Sequence, residues 1–135
     1  MAATVGIVLV SHSAALASGT AELAGQVGGG AVTIAAAGGT DDGRLGTSAA
    51  KVTAAVRAAS AGSGGVVIVP DLGSSVLTVR ALLADGDLDD IPGGLALADA
   101  PFVEGAVAAV VTAAAGGSLK DVLGAAQEAR NARKL

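Results

Sequence analysis

Four short apolar runs, each followed by a stretch of helical composition, constrain this chain more than any other feature. Val66-Val67-Ile68-Val69 is continuous rather than alternating, and so is most of Thr4 to Val10. A strand buried on one face alternates apolar and polar residues, whereas one covered on both faces does not. The remaining strands read as Ala31 to Ala37 and Leu95 to Ala98. Between them lie helical stretches, Ala14 to Val27, a segment capped by Thr47 or Ser48 and running to about Ala61, and one near Val76 to Ala84. Pro101 to Ala115 and Leu119 to about Ala132 follow the last strand. In the first helix Leu16, Ala17, Leu23 and Ala24 can share one face. Glycine clusters at 28–30, 62–65 and 116–117 read as breaks. Alternating strands and helices predict an α/β fold, a three-layer, mainly parallel open sheet with helices on both faces.

With 135 residues, a single domain over 1–135 is expected. Apolar residues make up 52% of the chain, yet Phe102 is its one aromatic, so the core must be built from Ala, Val, Leu and Ile. Such a surface has little with which to stack on bases. Net charge is −4 and basic residues gather only at Arg130, Arg133 and Lys134, which sets nucleic acid aside. There is no cysteine, hence no disulfide or thiolate metal site. The opening Met1-Ala2-Ala3-Thr4-Val5 lacks the charged flank of a signal peptide, and neither Ile7 to Val10 nor Ala106 to Ala115 is long enough to span a membrane. A cytoplasmic protein is expected.

In an open parallel sheet, ligands bind beyond the carboxyl ends of the strands, where the strand order reverses. Three polar segments follow strand ends here: Ser11-His12-Ser13, Gly38-Gly39-Thr40 and Asp71-Leu72-Gly73-Ser74. For a core ordered 2-1-3-4, the first and third meet at the reversal, and His12 faces Asp71. A carboxylate that accepts from Nδ1–H fixes the imidazole tautomer and leaves Nε2 as a nucleophile. The helix beginning near Ser13 offers free amides to phosphoryl oxygens, and Ser74 offers a hydroxyl. The residues alone leave Asp71 open as a helix cap and Ser74 as another. Thr40-Asp41-Asp42-Gly43 reads as an acidic turn without metal-loop spacing, so no metal is assigned. Arg44 is either a solvated loop charge or a partner contact.

Nucleotide motifs are missing. No Gly-rich loop ends in Lys-Ser or Lys-Thr, and Gly62-Ser63-Gly64-Gly65 precedes a strand instead of following one. No Gly-x-Ser-x-Gly elbow is present. A phosphoryl group must therefore reach His12 already attached to another molecule.

The segment Val5-Gly6-Ile7-Val8-Leu9-Val10-Ser11-His12-Ser13 resembles the opening of the mannose-type IIA domains of the bacterial sugar phosphotransferase system. Ala37-Gly38-Gly39-Thr40-Asp41-Asp42-Gly43 with Gly46-Thr47-Ser48, then Asp71-Leu72-Gly73-Ser74, then Ala100-Pro101-Phe102-Val103-Glu104-Gly105-Ala106 extend the likeness in order over nearly the whole chain. The last segment is most similar to the branch that serves phosphoenolpyruvate-dependent dihydroxyacetone kinases.

The resemblance implies that His12 is phosphorylated on Nε2 and that Asp71 hydrogen-bonds its ring. It implies a phosphate site lined by Ser13, Gly39, Thr40 and Ser74, and no cofactor beyond the transient phosphohistidine. The implied donor is HPr, and the implied acceptor is ADP held in the DhaL subunit, with DhaK binding dihydroxyacetone. A homodimer with a 2-1-3-4 core is implied as well. Some relatives continue into HPr-like and enzyme-I-like domains. This sequence stops at Leu135 with a helical end, from which an intact domain served by separate proteins is expected, a fragment of a longer fusion being the alternative. Two other readings stay open: the IIA component of a mannose-family sugar transporter, and a regulatory module that senses a small anion without turnover.

Overall fold

The computed structural model describes residues 3–135; Met1 and Ala2, part of the opening segment read above for a signal peptide, lie outside them. The elements follow the order β1 (Thr4–Ser11), α1 (Ala14–Val27), β2 (Ile34–Gly38), α2 (Ala49–Ala59), β3 (Ser63–Pro70), α3 (Gly73–Asp85), β4 (Leu95–Leu97), α4 (Phe102–Ala114) and α5 (Leu119–Glu128). Single 3-10 turns follow α2 and α5. The sheet has the order β2-β1-β3-β4, and all three pairings are parallel. Among the described residues, no helix is long and apolar enough to cross a membrane.

Side-chain parity along the two central strands creates two cores. Val5, Ile7 and Leu9 of β1 join Val67 and Val69 of β3 beneath α1, α4 and α5. Val8 and Val10 join Val66 and Ile68 beneath α2 and α3. Residues 7–10 and 66–69 have no exposed surface, which is why these strands lack polar alternation. Small side chains let the layers approach closely. A Cβ on Gly6 would lie 1.9 Å from the carbonyl oxygen of Ala59, and one on Gly38 would lie 2.6 Å from Ala14 Cα.

Besides β2, which begins at Ile34 rather than Ala31, three expectations change. The first concerns α1, whose inward face is Ala17, Thr20 and Ala24. Leu16 and Leu23, grouped with that face by periodicity, are instead 43% and 47% exposed. Close packing against the sheet has room for the alanines and turns the larger leucines outward. The second is β3, which begins at Ser63 rather than Val66. The glycines at 64 and 65 that read as a turn belong to the strand; Gly65 has φ +97°, and a Cβ there would meet the carbonyl oxygen of Gly93 at 2.9 Å. The third is α3, which starts at Gly73 instead of near Val76 and so takes Ser74 and Ser75 into its first turn.

A candidate phosphoryl-transfer site at the strand-order reversal

The β1–β3 register ends with Val10 opposite Pro70, and the Asp71 amide donates to the Val10 carbonyl at 2.9 Å. Both chains therefore leave the sheet at the same end and side by side. β2 branches to one side of β1 and β3 to the other, so this is the reversal of strand order. Two residues beyond the pairing on β1 and one beyond it on β3, His12 Nδ1 lies 2.9 Å from Asp71 Oδ1. Fold topology, rather than local sequence, joins two side chains 59 positions apart.

Asp71 is held from several directions. Oδ1 also accepts from the Leu72 amide at 2.7 Å and from the Ser75 hydroxyl at 2.9 Å. Oδ2 accepts from the Ser11 hydroxyl at 2.9 Å and from the His12 amide at 3.0 Å. Burial, the largest single influence, pushes this carboxyl up, because its side chain is only 7% exposed. The hydrogen bonds from the His12 amide, the His12 ring, Ser11 and Ser75 together outweigh burial and bring it down to about 2. Asp71 is thus an ionised acceptor at neutral pH, and the proton between it and the ring belongs to Nδ1. The same tautomer leaves a lone pair on Nε2.

Nε2 faces the Ser74 hydroxyl, which donates to it. Ser74 occupies the first turn of α3, whose cap residue Leu72 contributes no side-chain hydrogen bond. The amides of Ser75 and Val76 turn back to the Leu72 carbonyl. Those of Gly73 and Ser74 have no partner among the described residues, and a Cβ added at Gly73 would meet nothing within 4 Å. The α3 start thus has open amides and a positive helix end, and its Ser74 hydroxyl faces Nε2. α1 is arranged differently. Ser13 caps it by accepting from the Leu16 amide at 3.2 Å, and the Ser13 amide is spent on Ser11 Oγ at 3.0 Å. The helix start that touches Nε2 is that of α3, through the Ser74 hydroxyl that the sequence had offered beside the amides of α1.

The loop after β2 reaches the site through residues other than those expected. The Gly39 amide donates to the Ser11 carbonyl, and the Thr40 amide to the Arg44 carbonyl. Thr40 Oγ1 donates to Asp42, and Arg44 is paired with the same carboxylate at 2.6 Å. Gly39 and Thr40 thus shape their loop, and none of these bonds goes to the ring. Contact is made further along: the Gly46 amide donates to the His12 carbonyl at 2.9 Å, and Thr47 Oγ1 lies 3.0 Å from Ser75 Oγ. Thr47 is not the cap of α2; Ser48 is, accepting from the Lys51 amide at 3.1 Å.

Comparison with known proteins fits this geometry. The family model of the PTS system fructose IIA component, EIIA-man, matches residues 6–123, which include every residue of the site. The chain belongs to this family. Among the relatives of this EIIA-man domain are phosphoryl donor subunits, DhaM, of PEP-dependent dihydroxyacetone kinases. That of Escherichia coli K12 is 38% identical over 136 residues, covering 96% of this chain and 28% of the relative. That of Providencia stuartii is 35% identical over 133 residues, again covering 28% of the relative. The chain thus spans little more than a quarter of these longer proteins. A DhaM subunit of Listeria innocua is 37% identical over 107 residues, with 79% of this chain and 84% of the relative covered. The crystal structure of a protein of unknown function, EF1359, superposes with a TM-score of 0.80 at 35% identity, covering 98% of this chain and 97% of that one.

Ser11, Gly46, Thr47 and Ser75 of this EIIA-man domain were given no role at the site from the sequence. For Ser75 a signal exists: it lies four residues after Asp71, close enough for a hydroxyl in the first turn of a helix to reach back to a carboxylate just before its cap. Starting α3 at Val76 hid it. A cavity of about 440 Å³ opens beside Asp71, lined by Pro70, Val76, Arg80 and Leu97 among others, but His12 is not in its walls. The His12 side chain is 24% exposed.

Proposed function

We propose that this domain is a phosphohistidine carrier of a dihydroxyacetone kinase, the role that the name of its DhaM relatives describes. The observation that carries the reading is the His12 ring, fixed by Asp71 at Nδ1 and presenting Nε2 at the surface beside the start of α3. In the first step the Nε2 lone pair attacks the phosphorus of phospho-HPr. The Nε2–P bond forms as the donor's N–P bond breaks, and the donor histidine keeps the electron pair. The Nδ1 proton stays between ring and Asp71, whose negative charge balances the cationic ring. Ser74 turns its hydroxyl from Nε2 to a phosphoryl oxygen, and the Gly73 and Ser74 amides meet the others. Ser13, Gly39 and Thr40 hold the surrounding loops in this reading.

In the second step the terminal phosphate oxygen of ADP, bound in DhaL, takes the phosphorus and the Nε2–P bond breaks. DhaK presents dihydroxyacetone to the ATP so formed. The covalent phosphoryl group is the one non-protein group that the reading requires of this chain. A cytoplasmic homodimer belongs to the same proposal, and sedimentation equilibrium at micromolar concentration tests it.

Reconstitution identifies the acceptor. With phosphoenolpyruvate, enzyme I, HPr, DhaK and DhaL, the protein should support dihydroxyacetone phosphate formation, and His12→Ala should abolish it with an unchanged circular dichroism spectrum. If the phosphorylated protein fails to discharge to DhaL but does so to the sugar-specific subunits of a mannose-family permease, the transporter reading replaces this one.

A further inference from the structure

The Asp71 carboxylate accepts five hydrogen bonds, more than the roughly four lone-pair positions its oxygens provide. The crowding is on Oδ1, which serves the His12 ring, the Leu72 amide and Ser75. Ser75 Oγ stands 2.9 Å from Oδ1 and 3.3 Å from His12 Nδ1, wedged beside the bond between them. Ser75 has no exposed surface. Its hydroxyl has one proton, and giving it to Asp71 requires that Thr47 be the donor in the 3.0 Å contact between the two hydroxyls. Thr47 is anchored in turn, since its backbone bridges to Gly39, one residue past the end of β2. A chain of donors thus runs from the β2–α2 loop through Thr47, Ser75 and Asp71 to the ring.

We propose that Ser75, oriented by Thr47, is a positioning residue for His12, sharing Asp71 Oδ1 with the ring and so setting how tightly the carboxylate holds Nδ1–H. The proposal rests on the phosphocarrier reading for its catalytic consequence, and on geometry alone for its structural one. Removing the Ser75 hydroxyl returns its share of Oδ1 to the ring. The Nδ1–H···Oδ1 bond then tightens, and the carboxylate becomes easier to protonate. The ring also loses the lateral contact that sets its angle, so Nε2 is aimed less well at the incoming phosphorus. Other ionisable groups near the carboxylate remain as they were: His12 bonds it, and Arg80 of α3 and Asp99 after β4 line the cavity on its other side.

The test compares the unphosphorylated full chain with Ser75→Ala and Thr47→Val. In Ser75→Ala the Asp71 side-chain carbon resonance should titrate higher by roughly half a unit. The Nδ1–H proton resonance should move downfield. Turnover in the reconstituted kinase should fall about fivefold while the KM for phospho-HPr holds. Thr47→Val, which leaves Asp71 untouched, should give the same changes at smaller amplitude. Loss of thermal stability with both resonances unmoved would reduce Ser75 to a structural residue and overturn the proposal. Because the resonances are read before any phosphate is present, they decide it even if the carrier reading fails.

Discussion

Asp71 couples folding to pH. Its carboxyl is held at about 2, below the ordinary 3.8, so the folded state favours the ionised form. The stabilisation is complete above about pH 4 and is lost as pH falls through the interval from 4 to 2, amounting to about 2 kcal/mol for a shift of this size. Denaturant unfolding followed from pH 5 to pH 2 should show that decline, and Asp71→Asn should flatten it. Asp71→Ala should slow phosphorylation of His12 without abolishing it, because Asp71 orients the nucleophile and is not itself the nucleophile; undiminished rates would remove the orienting role. His12 and Asp71 were legible in the sequence because each is the first titratable residue past a strand, at positions that a 2-1-3-4 sheet brings together. Ser11, Thr47 and Ser75 were not. Hydroxyl residues serve as caps, turn formers and surface groups alike, and only the fold shows that these are part of the network around Asp71.

Helix starts and strand ends shape the surroundings of the ring. Gly38 allows β2 to end directly against the beginning of α1, where a Cβ would come within 2.7 Å of the Ser13 carbonyl oxygen. The two nearest atoms in its way, Ala14 Cα and the Ser13 carbonyl oxygen, are backbone, and Ala17 Cβ follows at 2.9 Å, so Gly38→Ala must displace the α1 start together with Ser13. It should destabilise the domain by about 1–3 kcal/mol and reduce the rate of His12 phosphorylation, whereas Gly19→Ala, on the open side of α1, should not destabilise it. Most elements could be read from the sequence to within a few residues, since glycine breaks and hydroxyl caps mark them. The exceptions differ in cause. Gly64 and Gly65 look like turn residues but sit in β3, where neighbouring backbone leaves no room for a side chain. α3 lacks a side-chain cap, so its beginning carries no local mark. That unmarked beginning is also where its amides stay open, which is why the feature most useful to an anion was the hardest to place.

The molecule is a thin-walled scaffold around two buried strands. The 2-1-3-4 order came from the family resemblance, while its covered parallel sheet was legible from continuous apolar runs separated by helices. Which helix covers which face was not, because alanine suits either side and leucine periodicity in α1 pointed outward. The two cores predict a clean separation of stability from chemistry. Ile68→Ala, in the middle of β3 and away from the ring, should lower the free energy of unfolding by about 2–5 kcal/mol. The folded fraction should still accept phosphate at the rate of the parent. The central claim is that His12 Nε2 is the atom that carries the phosphoryl group. It is tested most directly by incubating the protein with phosphoenolpyruvate, enzyme I and HPr and locating the phosphate by phosphorus NMR and peptide mapping. One acid-labile phosphate on His12 Nε2, absent from His12→Ala, is the predicted result; no acid-labile phosphate, or one on another residue, would contradict the account.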